Sequence, residues 1–396
     1  MIKNQILALS ENLLEELIGI RRHLHKNPEL SFKEFETSKF IQAKLTEWGI
    51  EYQADWVKTG IVCTIKGSLD SDKIIALRAD IDALPIQEIE GRIYGSENKN
   101  VMHACGHDVH TTCLLGAIKI LSDSKSGWGG EVKGIFQPGE EKLPGGASLM
   151  IEEGLIDFMK ASHIIGQHVH PPLEVGKVGF HAGTYMASAD EIYVTIIGKG
   201  GHAALPADLI DPISAGSELV LAFDKIEREN NEEGNPTVLS IGKFWSDGGA
   251  TNVVPDKIHM EGTFRAMDES KRAKMHELMN ACVEEIVNRR GVEIKFEIRH
   301  GYPSLYNDLT LTEDVFEYAQ ELLGAENVVR IPKRMTSEDF SFYSQQMPGC
   351  FYRLGVANTS KGINSPVHTS SFDVDEKCLK IGASLMAFSA VKQLGN

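Results

Sequence analysis

The stretch Met102-His103-Ala104-Cys105-Gly106-His107-Asp108-Val109-His110-Thr111-Thr112 gathers three imidazoles, a thiol and a carboxylate just ahead of the apolar run from Cys113 to Ile118. Neutral imidazole, thiolate and carboxylate are the donors that borderline-soft divalent ions accept. Cys105 and His107 cannot close a four-donor shell alone, so further ligands must come from elsewhere in the chain. Two stretches offer them. Glu140 and Glu141 follow the β-type run Val132-Lys133-Gly134-Ile135-Phe136, where a loop begins. Adjacent side chains at a strand end point different ways, so one carboxylate can bind metal while the other faces the attacking water. The isolated histidines His168 and His368 close apolar or loop segments.

The elements that must bring these groups together follow from periodicity. Residues 5–26 read as an amphipathic helix ended by Pro28, and residues 34–48 as a second, closed by Gly49. Strands at 61–65 and 74–77, a helix at 110–122, and strands at 132–136 and 164–168 alternate in βαβ fashion. That pattern predicts an α/β fold with a mostly parallel sheet presenting ligands at strand C-termini. From residue 187 the order becomes strand 191–197, helix 213–229, strands 237–245 and 257–266, helix 269–289 and strand 292–299. This β-α-β-β-α-β succession is the ferredoxin-like arrangement. After it come a helix at 312–323, a strand at 350–354, the His368 loop and a closing helix at 376–393. Because His368 is needed beside Cys105, residues 1–186 and 302–396 are expected to form one catalytic domain, interrupted by an α+β insert at 187–301.

A chain of 396 residues exceeds the size at which one core keeps growing, which agrees with two domains. Its net charge of −16 disfavours nucleic acid or an anionic membrane as partner, since both demand a basic surface. No apolar run reaches the roughly 18 residues of a membrane span, and the N-terminal residues lack a signal-type apolar core, so a cytoplasmic location is expected. Six cysteines without paired spacing suggest reduced thiols.

Several segments, taken in order, resemble the amidohydrolase branch of the aminoacylase/carboxypeptidase metallopeptidases. They are Arg21 to Leu30, Arg78-Ala79-Asp80-Ile81-Asp82-Ala83-Leu84-Pro85, His103 to Thr112, Gln137 to Glu141, His168 and His368. The resemblance implies a di-metal aminopeptidase-like α/β catalytic domain with an inserted lid and dimerisation domain. It implies two divalent ions (zinc, manganese or cobalt) held by Cys105, His107, Glu141, His168 and His368, with the bridging ligand left open. Asp80 and Asp82 become supports behind the ligands, Asp82 as the orienter of one of them. Glu140, beside Glu141 and itself uncoordinated, becomes the general base. His110 is read as a support and not a ligand, His103 stays ambiguous, and His23, His25, His163, His170 and His181 are structural.

In the insert, His202, Asn252 and Arg265 match the branch's lid signatures, where such residues bind the substrate carboxylate and the developing oxyanion. The planar guanidinium of Arg265 suits a carboxylate. The expected activity is hydrolysis of N-acyl-L-amino acids to a carboxylate and a free amino acid, by a homodimer paired through the insert, with His202 reaching the neighbour's site. The alternatives are a dipeptidase or carboxypeptidase on the same scaffold, an N-acetyldiaminopimelate deacetylase, or a binding protein without turnover.

Overall fold

The computed structural model describes residues 2–395, which divide into two compact units. The first takes the chain through Gly183, then Tyr306–Pro332, then everything from Asp339 onward. Its centre is an eight-stranded sheet in the order Glu51–Trp56, Gly60–Lys66, Gly129–Gln137, Leu69–Asp80, Ile164–Glu174, Gly349–Ala357, Val178–Phe180, Val328–Arg330. The four central strands, from Gly129–Gln137 to Gly349–Ala357, run parallel. Their burial is nearly continuous over the paired stretches, as expected when both faces of a parallel sheet are covered. Asp80 and Gln137 lie side by side at the ends of their strands, and His168 pairs with Arg353.

Helices Ile2–Lys26, His107–Asp123 and Cys378–Gln393 share one apolar core with this sheet. Helix His107–Asp123 is almost wholly buried, its polar residues from His107 to Thr112 included, as befits an interior helix. It begins three residues earlier than the sequence pattern suggested, because Gly106 takes a left-handed φ of +79° and turns the chain into the helix. A Cβ on Gly106 would also lie 2.7 Å from Val169 Cγ2, so the turn requires glycine twice over.

The second unit comprises Thr184–Leu305 and Lys333–Glu338. Its sheet is antiparallel, in the order Thr237–Ser246, Lys257–Ala266, Asp190–Ile197, Glu293–His300. With helices Pro212–Asn230 and Glu269–Arg290 in the chain order strand-helix-strand-strand-helix-strand, this is a ferredoxin-like topology. Alternating burial along Asp190–Ile197 turns one face to a separate core with Leu219, Phe223 and Met275. Asp211 and Asp268 cap the two helices, each accepting backbone N–H bonds of the first turn. The segment Lys333–Glu338, which carries no periodic signal, joins this unit through backbone bonds from Arg334 N to Tyr185 O and from Ala187 N to Thr336 O.

Candidate metal centre

Cys105, His107, Glu140, Glu141, His168 and His368 all lie in the first unit, and the fold brings them together from four separate segments. The Cys105 Sγ is 3.4 Å from His168 Nε2 and 3.3 Å from His368 Nε2. On the other side, His368 Nε2 lies 3.2 Å from Glu141 Oε1, and His107 Nε2 lies 3.9 Å from the same oxygen. Two of the donor triads that result, Cys105/His107/His168 and Cys105/Glu141/His368, share the thiol, and a third joins His107, Glu140 and Glu141. Glu140 Oε2 stands 4.0 Å from His107 Nε2, outside the two triads that share the thiol.

What lies behind each donor decides which atom faces the centre. His168 Nδ1 donates to Val169 O at 2.7 Å, which leaves Nε2 as the inward acceptor. His107 Nδ1 bonds Asp82 Oδ1 at 3.2 Å, and Asp82 Oδ2 accepts from Ser31 Oγ and from the backbone N–H of Glu141. His107 Nε2 and Glu141 Oε1 are then buried with no hydrogen-bond partner. Glu141 Oε1 is close enough to His368 to count as an ion pair by distance, but the angles are not those of a hydrogen bond. Buried unpaired polar atoms aimed at one point, in a set of thiol, imidazole and carboxylate, fit divalent cations.

The electrostatics agree. Burial, with Glu141, Glu140 and Asp80 nearby, pushes the Cys105 thiol well above its ordinary range. Burial alone would lower His107, but Asp80 and Asp82 outweigh it and raise the imidazole to about 10. An anionic pocket of this kind is costly until cations enter it. His168 goes the opposite way, held well below its usual value by burial and by Arg353, so its Nε2 keeps its lone pair for a metal ion.

His110 shares a helix face with His107 but has no free nitrogen: Nδ1 is 2.6 Å from Asp80 Oδ1, and Nε2 accepts from Val169 N at 2.9 Å. Asp80 is held in turn by Arg78 Nη1 at 2.7 Å. His103 is fully buried with neither ring nitrogen paired, and burial lowers it to about 4. Sequence reasoning missed three supports. Arg21 and His25 both bond Asp108 Oδ2 at 2.8 Å, and Arg21 also reaches Asp373 in the loop that carries His368. Glu34 bonds Gly139 N in the turn before Glu140. The basic residues stood in a quoted motif, but nothing in the pattern around Glu34 singled it out.

The three substrate-binding candidates belong to the second unit. His202 and Asn252 are exposed and adjacent, since His202 pairs with Val253 in a two-stranded ribbon and Ala203 N donates to Asn252 O. Arg265 lies on strand Lys257–Ala266, paired with Val238 at the far end from Lys257. The ribbon leaves the sheet at the Ile197/Lys257 end. Eight residues of strand therefore separate them, roughly 26 Å at about 3.3 Å per residue. One copy of the unit brings His202 to Asn252 but not to Arg265.

Such a fold, with overlapping triads of metal donors beside one sheet and Glu140 next to them, defines a metallohydrolase of the dinuclear type. The sequence comparison is consistent with that class. The model of Peptidase family M20/M25/M40 matches residues 76–391, and the chain belongs to that family. It is 39% identical to an N-acetyl-L-cysteine deacetylase of Bacillus subtilis, over 99% of this chain and 93% of that one. It is 38% identical to an N-acyl-L-amino acid amidohydrolase of Geobacillus stearothermophilus, over 78% and 82%. Among solved structures, a Bacillus subtilis protein described as a dinuclear metal binding peptidase of the M20 family superposes with a TM-score of 0.84 at 34% identity, covering 97% of this chain and 99% of that one.

Proposed function

We propose that the protein is a metal-dependent amidohydrolase that cleaves N-acyl-L-amino acids to a carboxylate and a free amino acid. The observation that carries this reading is the pair of triads meeting at Cys105, with Glu140 beside them and in neither. Cys105, His107, Glu141, His168 and His368 would hold two divalent ions, with Cys105 belonging to both donor triads. When bound, such ions polarise a carbonyl oxygen and lower the pKa of water toward about 7.

Glu140 takes a proton from the attacking water and returns it to the amine nitrogen as the C–N bond breaks. Asp82 fixes the ring of His107 and the backbone of Glu141 together, so base and ligands keep their spacing. His202 and Asn252 would meet the oxyanion and the substrate's polar groups, and Arg265 its carboxylate. The separation along the sheet argues that the two sets serve one substrate from two copies of the chain, which makes the second unit a lid and dimerisation domain.

The test is a panel of acetyl-, benzoyl- and indoleacetyl-amino acids alongside unblocked dipeptides, with chelated and metal-reloaded protein. Turnover of the acyl compounds that vanishes on chelation and returns with metal is expected; hydrolysis of unblocked dipeptides alone would replace this reading with a dipeptidase. Mixing Glu140→Gln with His202→Ala under subunit exchange should restore about half the activity of a native dimer, since one site of each mixed pair is intact. Demonstrated heterodimers without recovery would place His202 in its own subunit's site or in none.

A further inference from the structure

Glu34 is an odd residue to find where it is. It directly precedes helix Phe35–Glu47, yet its side chain does not cap that helix. The carboxylate is wholly buried instead. Oε1 accepts the backbone N–H of Phe32 at 2.8 Å and of Gly139 at 2.9 Å, and Oε2 accepts the Thr59 hydroxyl at 2.8 Å. These donors are neutral, and the charge that bears on it most, Asp82, has its own sign; burial and that repulsion raise Glu34 to about 7. A carboxylate buried without a cation is a net cost to the fold unless the bonds it makes are needed.

What those bonds hold is the turn that carries Glu140 and Glu141. Gly139 sits at φ +63°, and a Cβ there would lie 2.3 Å from the ring of Phe32, itself at φ +64°. Two positive-φ residues are thus pressed against each other, and one carboxylate oxygen bonds the N–H of both. Two residues further on, Asp82 Oδ2 takes the N–H of Glu141. The turn is pinned at both ends by buried carboxylates, and Glu140 is the residue between the pins.

We propose that Glu34 is a positioning residue for the catalytic turn: through Gly139 N it sets where Glu140 and Glu141 stand, acting as a hydrogen-bond acceptor and not as a charge. This rests on the assignment of Glu140 and Glu141 above. Glutamine tests the distinction, because its carbonyl oxygen can accept both N–H groups while its amide donates to the Thr59 hydroxyl.

Metal-loaded full-length protein would be compared as wild type, Glu34→Gln, Glu34→Ala and Thr59→Val, reading metal loss to a chelator, kcat and KM on the best acyl-amino acid of the panel, and melting temperature. Glu34→Ala should shed metal faster and lose kcat on the order of 10- to 100-fold, the usual scale for groups that orient ligands, with KM nearly unchanged. Glu34→Gln should restore both to within about threefold of wild type, a difference smaller than 1 kcal/mol. If Glu34→Ala does not fold, Thr59→Val, which leaves both backbone bonds in place, should move metal loss and kcat in the same direction by less. A folded Glu34→Ala, or failing that a Thr59→Val, with wild-type metal retention and kcat overturns the proposal, and so does a Glu34→Gln as impaired as alanine. Wild-type protein inactive on the whole panel would defeat the functional reading, while chelator release would still report on the turn.

Discussion

Each unit is built around a buried aspartate that gathers donors from distant segments, and the two differ in how the charge is settled. Asp190 in the second unit accepts from Arg272 Nε at 2.9 Å, from His276 Nε2 at 2.7 Å and from Gly301 N at 3.1 Å. Its charge is met by a guanidinium inside the cluster. Asp82 in the first unit accepts from Ser31, His107 and Glu141 N, and the histidine it orients ends in a buried nitrogen with no partner. The same residue types therefore make a closed structural knot in one place and an open set of donors in the other. Residue identity alone does not separate function from stability; the unsatisfied atom does.

Substitutions can break that contrast. The largest effect is expected at the edge of the open cluster: Glu140→Gln should lower kcat by about 10² to 10⁴-fold, the scale of general acid–base catalysis, with metal content intact. Loss of metal in that variant would make Glu140 a ligand and not a base.

Asp190→Asn should cost about 2 kcal/mol of unfolding free energy, since it leaves Arg272 with Glu269 as its remaining carboxylate partner, and leave metal retention untouched. Its pH dependence has a definite sign. Burial opposes ionisation of Asp190, but hydrogen bonds from Arg272 and His276 outweigh it and hold the carboxyl well below the usual range. A depressed folded pKa gives stability that is full above the unfolded value near 4 and drains away as pH falls toward the folded one. Thermal melts of wild type should therefore lose stability below about pH 4 more steeply than those of Asp190→Asn; parallel curves would remove the cluster's stabilising role.

Asp82→Asn differs in kind, weakening metal affinity on the order of 10- to 100-fold in addition to the stability it costs by uncoupling His107. A loss of stability with metal affinity unchanged would make both hubs structural. The smallest effect expected is about one more proton released on metal loading by wild type than by Cys105→Ala, because burial and the neighbouring carboxylates keep this thiol protonated until a metal ion binds. Equal proton release from the two would take Cys105 out of both triads.

The donors themselves were legible because metal chemistry restricts residue type and because strand ends and helix starts leave clear marks. Cys105, His107, Glu141, His168 and His368 were singled out as a set by the ordered family resemblance and not one by one, and the α/β alternation gave them a sheet to hang from. The strand-helix-strand-strand-helix-strand order of the second unit was equally plain, since alternating burial and capped helices are written locally. Tertiary structure decided the rest. Only the bond from Val169 N to His110 shows that His110 has no nitrogen to spare while its helical neighbour His107 does. Only sheet register sets Arg265 at the opposite end from His202. Only packing brings Glu34 to Gly139, more than a hundred positions along the chain. Hydrophobic period and ligand chemistry act between neighbours in sequence, so they can be read from it; the pairing of a buried acceptor with its donor depends on where distant segments meet, and the packed core fixes that.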